Sequence, residues 1–104
     1  MNDNDRNLIA EYMGWNVKHS EAHVLGTHRT FDFYTYNNGF ENIHFDATQM
    51  FKCANEMLKR KDWHSFVCYF FDNKIALDDM LFSAINHEYF FTQMATWIKE
   101  VIHR

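Results

Sequence analysis

Nine consecutive residues, W-H-S-F-V-C-Y-F-F at positions 63–71, constrain the fold more than any other stretch of the chain. Seven of the nine are apolar or aromatic, and they would fall on both faces of an extended segment. A strand with one face in water alternates apolar and polar residues, whereas a strand buried on both faces reads as a continuous apolar run. The run therefore predicts a central strand that needs cover on both sides.

Three amphipathic helices are predicted to supply that cover, over residues 4–13, 47–60 and 87–102. Gly14 is placed to end the first helix in the left-handed conformation. Asp46 and Asn86 precede the other two as N-caps, and Gln49 completes a capping-box pattern after Asp46.

The remaining strands are predicted from β-branched and aromatic content. Residues 30–36 form a strand, and the turn signal at 37–39 leads to a second short strand at 40–45 that pairs with it. Residues 16–29 have no clear period and indicate a loop or a frayed edge strand. A turn at 72–74 and a short strand at 75–77 follow the central strand. The fold class is α+β: a small mixed or antiparallel sheet with about three helices packed on it, as in an α/β/α sandwich.

Length and charge narrow the function classes. A chain of 104 residues is expected to form one domain, residues 1–104. The net charge of −4 lacks the basic excess that non-specific nucleic-acid binding needs. No apolar run is long enough for a membrane span, and Cys53 and Cys68 fall in patterns typical of buried, reduced thiols. These features predict a cytoplasmic protein without a cofactor.

Seven histidines raise an alternative function. His19, His23 and His28 lie within ten residues and could serve a metal-binding module or a small metal-dependent enzyme. The competing interpretation, a solvent-exposed loop, is favoured because the segment lacks a clear period. Glu41 and His44 have an E-x-x-H spacing but fall on a predicted strand, where they would point to opposite faces.

Two further groups of residues suggest partner contacts. A basic run at the end of the second helix, followed by an aromatic residue, could bind single-stranded nucleic acid, although such runs are usually solvated helix ends. Aromatic residues on the first predicted strand could form an exposed edge that pairs with another protein. The candidate partner-binding residues are Phe31, Tyr34, Tyr36, Lys59, Arg60, Lys61 and Trp63.

Three segments, in order, resemble a family of small phage-encoded proteins, the phage ABA sandwich domain. The segments are N-L-I-A-E-Y-M-G-W at 7–15, I-H-F-D-A-T-Q-M-F-K-C-A-N-E-M-L at 43–58, and the closing L-F-S-A-I-N-H-E-Y-F-F-T-Q-M-A-T-W-I-K-E-V at 81–101. The middle segment lacks the tryptophans that its counterpart in the family usually carries. The resemblance implies a phage or mobile-element origin and an α/β/α sandwich, and it implies no catalytic residues.

The chain carries no nucleophile elbow, phosphate loop or glycine-rich dinucleotide pattern. We therefore expect a non-enzymatic interaction protein, of the kind a phage makes to inhibit a host defence complex such as a CRISPR effector. Its expected partner is a host protein or ribonucleoprotein. Direct nucleic-acid binding and metal binding remain the alternatives.

Overall fold

A computed structural model describes residues 1–37, 39, 41–72 and 86–103. Its described part is α+β, with four α-helices and one two-stranded antiparallel sheet. The elements are α1 (Asp3–Met13), β1 (Asn16–Val24), β2 (Thr27–Thr35), α2 (Ala47–Lys59), α3 (Trp63–Asp72) and α4 (His87–Trp97), which continues as a π-helix (Ile98–Ile102). The predicted strand at 75–77 and the segment 78–85 lie outside the described residues.

Helix α1 ends at Gly14 as predicted and begins at Asp3, one residue before its predicted start. The Asn2 side chain accepts a hydrogen bond of 2.8 Å from the backbone N–H of Asp5. Gly14 closes the helix with a φ of 75°, a conformation that costs glycine little. Ile9 and Ala10 are fully buried, so this helix contributes one wall of the core.

Strands β1 and β2 form a hairpin that begins at the core and extends away from it. The register pairs Asn16 with Thr35 at the base and Val24 with Thr27 at the far end. Nine residues per strand make the hairpin about 30 Å long. Residues 23–31 are all exposed, so the far half of the hairpin stands clear of the helices.

The hairpin corrects the prediction for residues 16–29. The loop interpretation was wrong and the edge-strand alternative was right, because β1 occupies 16–24 and β2 begins at 27, three residues before its predicted start. The predicted second strand at 40–45 was also wrong where the structure describes it, since residues 41–45 are irregular. One backbone hydrogen bond, from Ile43 N–H to the Tyr34 carbonyl at 2.7 Å, ties that segment to β2.

Helices α2 and α4 carry the predicted N-caps, but the Gln49 side chain donates to the Tyr36 hydroxyl and does not complete the predicted capping box. The Asp46 carboxylate accepts from Gln49 N–H at 3.0 Å, and the Asn86 side chain accepts from Tyr89 N–H at 3.2 Å. Helix α4 and its π-helical continuation cover the predicted 87–102.

The central strand predicted at 63–71 was wrong, because these residues form helix α3. Lys61, at a φ of 62°, ends the preceding helix, and the Asp62 carbonyl accepts from Phe66 N–H at 3.0 Å to begin the next. Trp63, Phe66 and Val67 also fit the i, i+3, i+4 spacing of a helical face, and one apolar side suffices for a helix.

The core is a single cluster of aromatic and aliphatic side chains between the four helices and the hairpin base. Trp97 is fully buried at its centre, with its ring 5.6 Å from Phe66 and 5.7 Å from Tyr12, both edge-on. The Trp97 Nε1–H donates to Ser65 Oγ at 3.3 Å, so its one polar group is satisfied. In the described part of the chain, no helix has the length and apolar content needed to cross a membrane.

Candidate functional site: the projecting hairpin

The hairpin beyond its base, residues 18–33, has two chemically different faces. Side chains of directly paired residues share a face, and successive residues alternate, so the register assigns each side chain. We call one side the apolar face; it comprises Lys18, Ser20, Ala22, Val24, Thr27, Arg29, Phe31 and Phe33. We call the other the titratable face; it comprises His19, Glu21, His23, His28, Thr30 and Asp32.

A two-residue loop, which we call the tip, joins the strands. The tip consists of Leu25, at a φ of 52°, and Gly26, at a φ of 79°. Two successive positive φ values define the type I′ turn, which matches the twist of the flanking strands. Such turns favour asparagine, aspartate or glycine at their first position, and here that position holds a leucine.

Large apolar side chains are exposed at the tip and on the apolar face. Leu25 is 100% exposed, Val24 is 60% exposed and Phe31 is 48% exposed. Lys18 and Arg29 lie on the same face, and neither forms an ion pair within the described residues. The face therefore combines apolar area with unpaired positive charge.

The titratable face holds two side-chain pairs. His19 Nδ1 lies 2.5 Å from Asp32 Oδ1 across the strands. Nearer the tip, His28 Nε2 lies 3.3 Å from Glu21 Oε2. The His23 and His28 rings stack with their centroids 4.7 Å apart and their planes 10° from parallel.

The structure brings together part of the histidine set considered from the sequence. His23 and His28 are direct partners in the register, whereas His19 pairs with Asp32. Glu21, and not His19, completes the group with the other two histidines. Glu21, His23 and His28 each offer one ligand atom, and all three atoms lie within 4.8 Å of one another. The signal that sequence reasoning missed is the tip glycine, which sets the strand pairing and hence the cross-strand neighbours.

Three of the predicted partner-binding residues lie on or beside β2, in different surroundings. Phe31 is exposed on the apolar face. Tyr34 is only 2% exposed and donates a hydrogen bond of 2.7 Å to Asn7 Oδ1, so it anchors the hairpin base to α1. The Tyr36 hydroxyl accepts from Gln49 Nε2 at 2.6 Å and from Lys52 Nζ at 3.1 Å.

The other four predicted residues lie at the junction of α2 and α3. Arg60 lies over the Tyr12 ring, 4.4 Å from its centroid, and its Nε is 2.9 Å from Glu56 Oε1. Trp63 is half-buried and packs against the core. Lys59 and Lys61 are exposed. The basic run is therefore the end of a helix, and two of its members, Arg60 and Trp63, pack against other side chains of the fold.

The two cysteines differ in exposure. Cys53 is fully buried, as predicted, and burial raises the pKa of its thiol to about 12. Cys68 is only half-buried, and its Sγ lies 3.5 Å from His64 Nε2. A thiol with a raised pKa is a poor nucleophile, so Cys53 contributes packing and no chemistry.

A shallow cleft of about 270 Å³ lies where β2 meets the segment before α2. Its polar lining includes Arg6, Asp32 and His44. Arg6 Nη1 is already 2.7 Å from Asp3, and Asp32 is bound to His19. Because Arg6 and Asp32 already have partners, the cleft has fewer polar groups available to a ligand than the end of the hairpin does. The end of the hairpin is therefore the candidate site.

Comparison with known proteins adds no relative to this picture: the chain matches no family model, no curated protein and no solved structure.

Proposed function

We propose that this chain is a non-enzymatic interaction protein and that the tip and apolar face of its hairpin bind a partner protein. One observation carries the proposal: Leu25 is fully exposed at a backbone position that disfavours it. A left-handed conformation costs a residue with a Cβ about 1–2 kcal/mol, and only glycine, asparagine and aspartate adopt it readily.

Leu25 gains nothing from the described fold in return for that cost. Its side chain is 100% exposed, so it buries no apolar area. Burying a leucine side chain is worth about 1.5–3 kcal/mol, which exceeds the backbone cost. A partner that covers the tip would recover that free energy.

The charges on the apolar face indicate what kind of partner fits. Lys18 and Arg29 are exposed beside Phe31. A second copy of the chain, packed face to face, would bring these positive charges towards their own counterparts, which is unfavourable. An apolar groove with acidic groups at its rim complements the face, so the proposed occupant is a different protein.

The biological setting is part of the proposal. The resemblance of residues 7–15, 43–58 and 81–101 to phage ABA sandwich proteins supports a phage product that inhibits a host defence complex. Its partner is then a host protein, alone or within a ribonucleoprotein, in the cytoplasm of the host cell.

An affinity capture with matched variants tests the proposal. The baits are the wild-type chain, Leu25→Asn with Phe31→Ser, and the control Phe51→Ser, which removes another exposed phenylalanine, 63% exposed on α2. A bacterial host lysate, with and without nuclease, is passed over each bait, and bound proteins are quantified by mass spectrometry.

We expect at least one protein to be retained by the wild type and by the Phe51→Ser control, and lost with the hairpin variant. Loss of two buried contact side chains corresponds to a reduction in affinity of about 100-fold or more. Identical recovery on all three baits, or no specific recovery, would contradict the proposal. So would a wild-type dimer that the hairpin variant abolishes, because a second copy would then occupy the face.

A further inference from the structure

The titratable face carries a second site, on the side of the hairpin opposite the proposed protein contact. We infer that Glu21, His23 and His28 bind a divalent transition-metal ion, with Zn²⁺ as the best match. Two imidazoles and one carboxylate form the three-ligand set that zinc uses when a fourth position is left to water or to another molecule.

The distances fit a single ion. Zinc–ligand bonds of 2.0–2.1 Å in a tetrahedron place ligand atoms roughly 3.3 Å apart. His28 Nε2 and Glu21 Oε2 are already separated by 3.3 Å. The largest separation within the trio is 4.8 Å at most, about 1.5 Å more than a shared zinc ion requires, which is within reach of side-chain rotation.

The backbone holds the three residues in register before any ion arrives. His23 and His28 are directly opposed across the hairpin, and Glu21 is the next residue along β1 on the same face. In a hairpin with a two-residue loop, the pair beside the loop, Val24 and Thr27, is hydrogen-bonded, so the next pair is the closely spaced kind. Its Cα atoms are about 4.5 Å apart, which brings the two imidazoles close together.

The side chains also have room to rotate. All three are exposed, and apart from the contact between Glu21 and His28 their side chains form no hydrogen bond to the described residues. The His23–His28 stack leaves ring nitrogens available in both residues. Because a metal requires neutral imidazole and ionised carboxylate, binding weakens as the pH falls.

His19 provides a matched control. It lies on the same face of the same strand but is bound to Asp32, and it is not a member of the trio. A His19→Ala variant removes one imidazole from the hairpin and leaves the three proposed ligands in place.

The test is titration of the purified full chain with Zn²⁺ by calorimetry and with Co²⁺ by visible absorption. We expect one ion per chain and the Co²⁺ absorption bands of a tetrahedral site with nitrogen and oxygen ligands. His28→Ala and Glu21→Gln each lower the affinity by more than about 10-fold, whereas His19→Ala changes it by less than about threefold.

Two results would overturn the inference: no binding by the wild type, or equal loss of affinity in His19→Ala and His28→Ala, which indicates adventitious binding by surface histidines. Circular dichroism of each variant verifies that the hairpin remains folded. The metal site and the protein contact lie on opposite faces, so Glu21→Gln is expected to leave partner capture intact when zinc is absent, and the two proposals fail separately.

Discussion

Replacing Leu25 by asparagine separates what the tip contributes to folding from what it contributes to binding. Leu25 has a φ of 52° and is completely exposed, so the substitution loses no buried area and removes most of the left-handed penalty. That penalty is about 1–2 kcal/mol for a residue with a Cβ and is much smaller for asparagine. We expect the Leu25→Asn hairpin to resist opening by about 1 kcal/mol more than the wild type.

Amide hydrogen exchange measures this difference where it arises. The far half of the hairpin makes few contacts with the helices and is expected to open locally, without global unfolding. A gain of about 1 kcal/mol corresponds to roughly fivefold slower exchange of the cross-strand amides near the tip. Exchange in α4 should not change, since its opening depends on the core.

Gly26→Ala is the opposite perturbation at the neighbouring position. A Cβ at Gly26 meets no atom within 4 Å, so its cost comes only from the backbone, which has a φ of 79°. We expect exchange near the tip to be faster by fivefold or more, from the same penalty of about 1–2 kcal/mol. Slower exchange in Gly26→Ala, or faster exchange in Leu25→Asn, would refute the assignment of a type I′ turn.

The buried groups give three further predictions. Burial raises the pKa of the Cys53 thiol to about 12, so Cys53 should react with a thiol reagent only as fast as the chain unfolds. The half-buried Cys68 should react first, and rapid labelling of both cysteines would contradict this prediction. Burial, and after it the charge of Asp32, raises the pKa of Tyr34 to about 12. The stability that the protonated Tyr34 hydroxyl contributes is therefore complete below about pH 10 and declines as the pH rises towards 12, by up to about 1.4 kcal/mol per pH unit. Urea unfolding of the wild type and of Tyr34→Phe between about pH 9 and pH 11 measures that slope as the difference between the two chains, because the raised pKa of Cys53 also contributes in this range; parallel profiles would contradict the prediction. Trp97→Ala should lower the free energy of unfolding by about 3–5 kcal/mol, and a loss below about 1 kcal/mol would show that the ring does not fill the core.

The helices that could be predicted from the sequence are those with explicit capping residues. Asn2 and Gly14 bound α1, Asp46 begins α2, and Asn86 begins α4, each with a hydrogen bond or a backbone conformation that local chemistry specifies. Capping depends on contacts between residues three or four positions apart, so it can be predicted without knowing how the rest of the chain packs.

Residues 63–71 show where local pattern fails. Trp63, Phe66 and Val67 satisfy helical spacing, and the whole run also satisfies a strand buried on two faces. Periodicity does not distinguish these in a short apolar run. The choice is made by packing, because Phe66 fits edge-on against both Phe90 and Trp97.

The candidate site was harder to predict because it depends on register. Phe31 was identified from the run of aromatic residues on its predicted strand, but neither the exposure of Leu25 nor the grouping of Glu21 with His23 and His28 was predicted. Both depend on the two-residue loop, which pairs Val24 with Thr27 and so determines which residues lie opposite one another across the two strands. A hairpin exposed on both faces lacks the apolar alternation that would have fixed this register in the sequence.

Photo-crosslinking from the tip tests the central claim most directly. A chain with benzoylphenylalanine in place of Leu25 is produced in bacterial host cells and irradiated, beside a control chain with the same group in place of Phe51. The proposed function predicts a covalent adduct with a specific host protein from position 25 and none from position 51. Absence of an adduct at position 25, or the same adducts from both positions, would contradict the assignment of the hairpin as the binding element.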